Sequence, residues 1–165
     1  MKNAAIAALA IVGNYYLTTL AIWFGHWLSH AWAPLRITHV LGHHRLYPDA
    51  RSQRTPRFLY SSGRHDSLIA QLPPHFLQMV LLGMVLPSWL FWTCLGELVA
   101  LSAAFTWLHA QFHLQQPLLG RFAWFARAQC IHDAHHDEDV NFMVGDHFWD
   151  QVLGTYQPPL AEIRQ

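Results

Sequence analysis

His132-Asp133-Ala134-His135-His136, followed by Asn141-Phe142 and by Trp149-Asp150-Gln151-Val152-Leu153-Gly154-Thr155-Tyr156, is the stretch on which the rest of the chain turns. On a helix, His132 and His136 stand one turn apart, and His135 is their neighbour on the same face. Three further histidine groups precede them: His26/His30, His39/His43/His44 and His109/His113. Of the thirteen histidines only His65, His75 and His147 fall outside these groups, and those three are expected to be dispensable for metal. A single histidine beside apolar residues is ordinarily a hydrogen-bonded core residue. Four clusters of polar rings have no place in a packed core unless something satisfies them. Neutral imidazole is the commonest metal ligand, so the pattern predicts a transition-metal site.

Composition narrows the setting. The 165 residues read as one domain, 1–165, with one core or one membrane bundle. Hydrophobic residues make up 53% and charged residues only 12%, about half the charged share of a soluble domain. Ten basic and ten acidic side chains leave no basic excess to suggest nucleic acid. Cys94 and Cys130 are isolated, which excludes a C-x-x-C zinc site and an evident disulfide framework.

Outward from the histidines lie the apolar runs. Residues 4–24 carry no charge for about the length a bilayer needs. The run is long for a signal peptide, lacks a small-x-small cleavage site and leads straight into His26, so it reads as a retained span. Asn14, Tyr15 and Tyr16 suit a helix packed against others. Pro34 ends that helix, and the polar stretch from Arg45 to Asp66 reads as loop or short surface helix. A second apolar region, Phe76 to Leu108, is broken at Leu86-Pro87-Ser88 and predicts a hairpin with arms near 74–86 and 89–108. Glu97 lies in the second arm, where an acidic group either is functional or reaches the interface. Residues 118–131 alternate Leu, Phe and Trp with Arg121 and Arg127, the pattern of an amphipathic helix lying in the interface.

Three spans place every histidine group at one end. Arginine agrees: among the basic residues only Lys2 lies outside 36–64 and 121–164. The bias predicts that the histidine end is cytoplasmic and the N-terminus outside. The expected fold is thus all-α, an integral-membrane bundle of about three spans with a cytoplasmic histidine-rich helical cap.

Oxygen chemistry on an unactivated C–H bond needs iron or copper, since zinc has no redox chemistry. Some ten imidazoles give two metals roughly five nitrogens each. The Glu-x-x-His ligands of soluble di-iron bundles and the His-Glu-x-x-His zinc signature are both missing from this sequence. Ligating rings need acceptors for their second N–H; Asp133, Asp137, Asp139, Asn141 and Asp150 are placed to serve, Asp133, Asn141 and Asp150 being the principal candidates.

The ordered histidine groups, with Asn141-Phe142 and the closing Trp149-Asp150 to Gly154-Thr155, resemble the fatty acid hydroxylase/sterol desaturase superfamily of membrane di-iron enzymes. The resemblance covers about His26 to Tyr156. It implies a fatty acid hydroxylase-like membrane domain that hydroxylates or desaturates a lipid (fatty acyl, sterol or related) with O2. The implied ligands are His26, His30, His39, His43, His44, His109, His113, His132, His135 and His136, holding two iron ions, with zinc a possible substitute in preparations. It also implies a separate electron donor of ferredoxin or cytochrome type. Two departures stand out. Three residues, not two, separate His39 from His43, which puts His39 in question as a ligand, and Met143 replaces a glycine after Asn141-Phe142. Family members commonly carry a further N-terminal span, so this chain is expected to begin inside that plan.

Two other classes compete. A non-catalytic membrane metal-binding or transport protein needs polar residues spaced along the spans, of which Glu97 is the main example. A haem-binding electron carrier needs histidines paired across mid-bilayer, whereas these gather at span ends.

Overall fold

The computed structural model describes residues 2–48, 54–59 and 66–159. Its order is α1 (Lys2–Ala31), α2 (Ala33–Thr38), a π-helical turn (His39–His44), α3 (Asp66–Val85), α4 (Ser88–Phe112), α5 (Ala123–Asp137) and α6 (Phe148–Val152). The described residues are otherwise irregular, with one isolated parallel bridge between Thr55 and Leu114. His65, and the sites Ser52 and Gln165, lie outside the described residues.

The long helices follow from long apolar runs with few breakers. α1 stops at Ala31, where Trp32 is extended (φ −104°, ψ 117°) and Pro34 opens α2, a position at which its missing N–H is not needed. α3 begins earlier than the expected 74 and runs through Pro73 and Pro74. Pro74 has no N–H to offer the Ala70 carbonyl. That carbonyl lies against Gly25 of α1, where an added Cβ would sit 3.0 Å from Ala70 O and 2.9 Å from Gln71 Cγ. The close approach requires glycine, and it sets α3 beside His26. α4 likewise extends beyond the expected 108 to Phe112. Residues 118–122 form turns, so α5 starts only at Ala123 and carries the histidine stretch at its end.

Cross-helix contacts fix the directions. Asn14 Nδ2 donates to Cys94 O (3.0 Å) and Glu97 Oε2 (2.8 Å) on α4. Gln78 Nε2 of α3 donates to Asn14 Oδ1 and Thr18 Oγ1, both at 2.8 Å. Gly25 meets Ala70 and Gln71, while Gly83 lies beside Phe91. α1 and α4 therefore run together toward the histidine end, and α3 runs away from it. Glu97 is held by Asn14, so its polar group belongs to a clamp joining the three helices, as polar residues do between apolar helices.

The outer surfaces are apolar. Leu72, Phe76, Leu77, Leu81, Met84 and Val85 are exposed on α3, whose Gln71, His75 and Gln78 face inward. Asn3–Ala31 and Ser88–Phe112 are long and apolar enough to cross a membrane, and only 28% and 17% of their most apolar windows are buried within the chain. A core helix of a soluble protein would be mostly covered.

Past α5 the chain returns along α1. Trp23 Nε1 donates to Asp150 Oδ1 (3.1 Å), Trp149 Nε1 to Thr19 Oγ1 (3.0 Å), and Tyr15 Oη to Asp146 Oδ2. Ile22, Trp23, Phe142 and Met143 form the core beneath this return. Met143 keeps an ordinary backbone because the left-handed residues of the segment are Asn141 (φ 53°), Gly145 (φ 83°) and Gly154 (φ 74°). An added Cβ at Gly145 would also strike Leu108 Cδ2 at 2.7 Å.

Candidate metal centre

All ten clustered histidines converge, and they divide into two groups of five. One group is His26, His30, His39, His44 and His135; the other is His43, His109, His113, His132 and His136. Within each group the ligand nitrogens lie within 4.8 Å of one another. Three i, i+4 pairs keep their partners together, His26/His30 in the first group and His109/His113 and His132/His136 in the second, whereas His39 and His43 are divided. Sequence neighbours separate, His43 from His44 and His135 from His136, so the π-helical turn and α5 each supply both groups. The two groups touch where the His44 and His136 rings stack with centroids 4.2 Å apart.

The extra residue after His39 finds its explanation in the π-helical turn. Its i→i+5 pattern accommodates one residue more than an α-turn, so His39 and His44 share one group while His43 faces the other. His39 is 2% exposed, and its Nε2 lies 2.8 Å from His26 Nε2 and 3.2 Å from His44 Nε2. His75 and His147 enter neither group. His75 Nδ1 meets Gln78 Oε1 at 3.3 Å, and His147 Nδ1 meets Asp150 Oδ2 at 3.2 Å.

The outer nitrogens fix the tautomers. His26 Nδ1 donates to Phe142 O, His135 Nδ1 to Val140 O (2.7 Å) and His136 Nδ1 to Tyr47 O (3.1 Å). A carbonyl only accepts, so these neutral rings carry hydrogen on Nδ1 and turn a bare Nε2 lone pair inward. His30 Nδ1 pairs with Asp139 Oδ1 at 2.7 Å. Asn141 instead bonds the carbonyls of Ile131 and Gln157, tying α5 to the returning segment. Asp133 accepts from Arg54 Nη2 at 2.6 Å. Asp150, fully buried, receives the N–H groups of Phe142 (2.8 Å) and Met143 (3.0 Å), with Trp23, Thr155 and His147 also on its carboxylate. It thereby fixes the carbonyl that receives His26. Three of these acceptors are main-chain carbonyls, which a pattern of side chains does not reveal. Tyr47 was likewise unsignalled; its ring stacks on His113 with centroids 4.0 Å apart.

The residues present fit a bound cation. The inward Nε2 atoms of His30, His43 and His135 are buried and have no hydrogen-bond partner. Other inward nitrogens lie against one another: His132 Nε2 is 3.1 Å from His113 Nε2 and 3.2 Å from His136 Nε2. Where both facing rings carry their hydrogen on Nδ1, the two lone pairs repel unless a positive centre lies between them. Protonation is a poor substitute. Burial first, and neighbouring rings second, hold His39, His43, His132, His135 and His136 well below the ordinary value of 6.5. The buried clusters can therefore hold metal ions, with all-nitrogen ligands and neither sulfur nor carboxylate in either group.

These depressed values give a pH prediction. An unfolded chain takes up protons on these rings below pH 6.5, whereas the folded site does not. Stability therefore falls as pH drops below about 6.5 and is fully present above it. Thermal unfolding of metal-stripped protein in detergent should show a loss from pH 7 to pH 5; a gain on acidification would contradict this environment.

A cavity lies directly beneath the clusters, lined by His26 and His39 of the first group and His109 of the second. Ile22 and Phe105 contribute apolar walls, and Gln71, Ser102 and Thr106 contribute polar atoms. The wall it turns to the clusters is thus shared by both groups. No family model, curated protein or solved structure matches the chain.

Proposed function

We propose that the chain is a membrane-bound di-iron oxidoreductase that hydroxylates or desaturates a lipid with O2, a member of the fatty acid hydroxylase/sterol desaturase superfamily. The observation that carries this reading is the pair of five-imidazole clusters opening onto one apolar-walled cavity between membrane-like helices. Bound iron supplies the oxidising chemistry that an unactivated C–H bond demands and zinc lacks. Hydroxylation balances as R–H, O2, two electrons and two protons giving R–OH and water; desaturation consumes the same inputs and yields an alkene and two waters. The electrons come from a separate carrier protein.

The chain's own residues do the remaining work. The ten Nε2 atoms hold the centre. Phe142 O, Val140 O, Tyr47 O and Asp139 keep the rings oriented, as outer partners do in metal sites. Ile22 and Phe105 exclude water from the reacting carbon. α3 completes the membrane bundle as a third span, since its polar face is turned inward and its apolar face outward. A transport path is disfavoured because Asn14, Thr18, Gln78 and Glu97 bond one another rather than lining a route.

Lipid profiling of cells with and without the protein tests the reading. One lipid class should gain an oxygen or lose two hydrogens; profiles identical in every class would reject it. The arginine distribution supports a cytoplasmic histidine end. Cysteines introduced as Ser52→Cys and Gln165→Cys should react with an impermeant reagent only after the membrane is opened, and labelling of intact cells at either site would break the three-span arrangement.

A further inference from the structure

The two clusters are covered differently. Against the second lies a short irregular stretch, residues 54–59, which crosses just past the end of α4. Its Phe58 ring stands 5.9 Å from the His113 ring, 6.1 Å from His109 and 6.2 Å from His43, centroid to centroid. Tyr47 fills the space beside it, fully buried, with its ring 6.1 Å from Phe58 and 4.0 Å from His113. Three of the five rings of that cluster thus share one aromatic cover. The first cluster meets the surface elsewhere. The outer partner of His30 is Asp139, whose side chain is 66% exposed, so a carboxylate open to solvent stands one ring away from the inward nitrogens.

The cover is clipped to the segments that carry the ligands. Thr55 N–H donates to His113 O (2.9 Å), and Thr55 O accepts from Gln115 N–H (3.0 Å). Arg54 Nη2 donates to Asp133 Oδ2 at 2.6 Å, beside His132. Leu59 N–H donates to Tyr47 Oη at 2.6 Å, and Tyr47 O in turn receives His136 Nδ1. The stretch itself is neither helix nor strand, and its residues are half-buried or exposed. A segment held by so few bonds opens at far lower cost than a packed helix. The ligands it covers stand on or at the end of α4, on α5 and on the π-helical turn. The cavity beneath the clusters lies among the spans, where a divalent cation would first have to shed its water.

We infer that residues 54–59 are a strap that retains the metal ion of the second cluster: that ion leaves only when the strap lifts, whereas the ion of the first cluster exchanges without it. The inference rests on the two-cluster centre of the proposed function and not on its lipid chemistry. Phe58 and Arg54 are then the residues that set how long the second ion stays.

Exchange of a redox-inert ion reads this without turnover. Full-length protein loaded with natural zinc in lipid nanodiscs is mixed with excess isotopically enriched zinc, and the bound isotopes are followed by mass spectrometry. Two phases of one ion each are expected. They should differ by about tenfold or more, as the loss of one ring contact and one hydrogen bond on opening requires. His132→Ala should remove or hasten the slow phase alone, and His135→Ala the fast phase alone. Arg54→Gln should speed the slow phase by about two- to tenfold, the range that one net hydrogen bond provides, and Phe58→Ala by at least as much. Neither strap variant should change the fast phase or the zinc held at saturation. A single rate for both ions, a slow ion lost with His135→Ala instead of His132→Ala, or a slow phase indifferent to both strap variants overturns the inference. A parent chain holding fewer than two zinc ions would reject the two-cluster centre and the strap with it. Unchanged lipid profiles in cells, beside two-phase exchange that responds to the strap variants, would instead reject the enzyme reading and leave the strap standing.

Discussion

His135→Ala is expected to abolish lipid oxidation while the chain still inserts in the membrane. His135 is 1% exposed, its Nδ1 is fixed by Val140 O and its Nε2 is aimed unpaired into the first cluster. Losing an outer partner of a metal ligand typically costs 10–100-fold in affinity or activity. Losing the ligand itself should exceed about 100-fold by the same comparison. Insertion is spared because α1, α3 and α4 are joined through Asn14, Thr18, Gln78 and Glu97, far along the helices from His135. His39→Ala should match His135→Ala, since the π-helical turn returns His39 to the same cluster. If the extra residue had moved His39 off the metal, its replacement would cost much less. Membrane assays with oxygen and reductant decide both, and full activity of His135→Ala would contradict the assignment.

Asp150→Ala should be the most damaging change outside the ligands. The carboxylate is 0% exposed, and its hydrogen bonds from His147, Thr155 and the Met143 amide outweigh burial and keep its pKa low. Removing it strands the amides of Phe142 and Met143 and leaves the indole of Trp23 with Thr155 Oγ1 alone. A loss of about 3–5 kcal/mol is expected, as when one partner of a buried charged network is deleted. The Phe142 carbonyl then loses its support, and His26 its orientation. Thermal unfolding should drop together with metal held by the first cluster. Asp150→Asn, which keeps an acceptor, should be milder. A variant that melts like the parent and retains all its metal would show that Asp150 positions nothing.

Much of this was legible in the residues themselves. Helical spacing of four brings His26/His30, His109/His113 and His132/His136 together on any straight helix, and the apolar runs implied α1 and α4. The rest depended on contacts between distant segments. Nothing local to Pro73 and Pro74 announces that α3 continues through them, because Gly25 of another helix receives the freed Ala70 carbonyl. The pairing of His39 with His44 rather than with His43 needed the π-helical turn, a backbone geometry rather than a composition. The acceptors for His26, His135 and His136 are main-chain carbonyls, which every residue has and no motif marks. Asp133, adjacent to His132 in sequence, turns instead to Arg54 because the Thr55–Leu114 bridge brings that segment alongside.

The metal content of the purified full-length chain tests the central claim most directly. Protein produced with iron and purified in detergent without chelators, then quantified by elemental analysis against amino-acid analysis, should hold two metal ions per chain. His135→Ala and His132→Ala, one from each cluster, should each reduce that content, and neither preparation should show a haem absorption band. Two ions lost in step with the two clusters is the predicted result; a parent chain holding a single ion, or haem, would contradict the two-centre account.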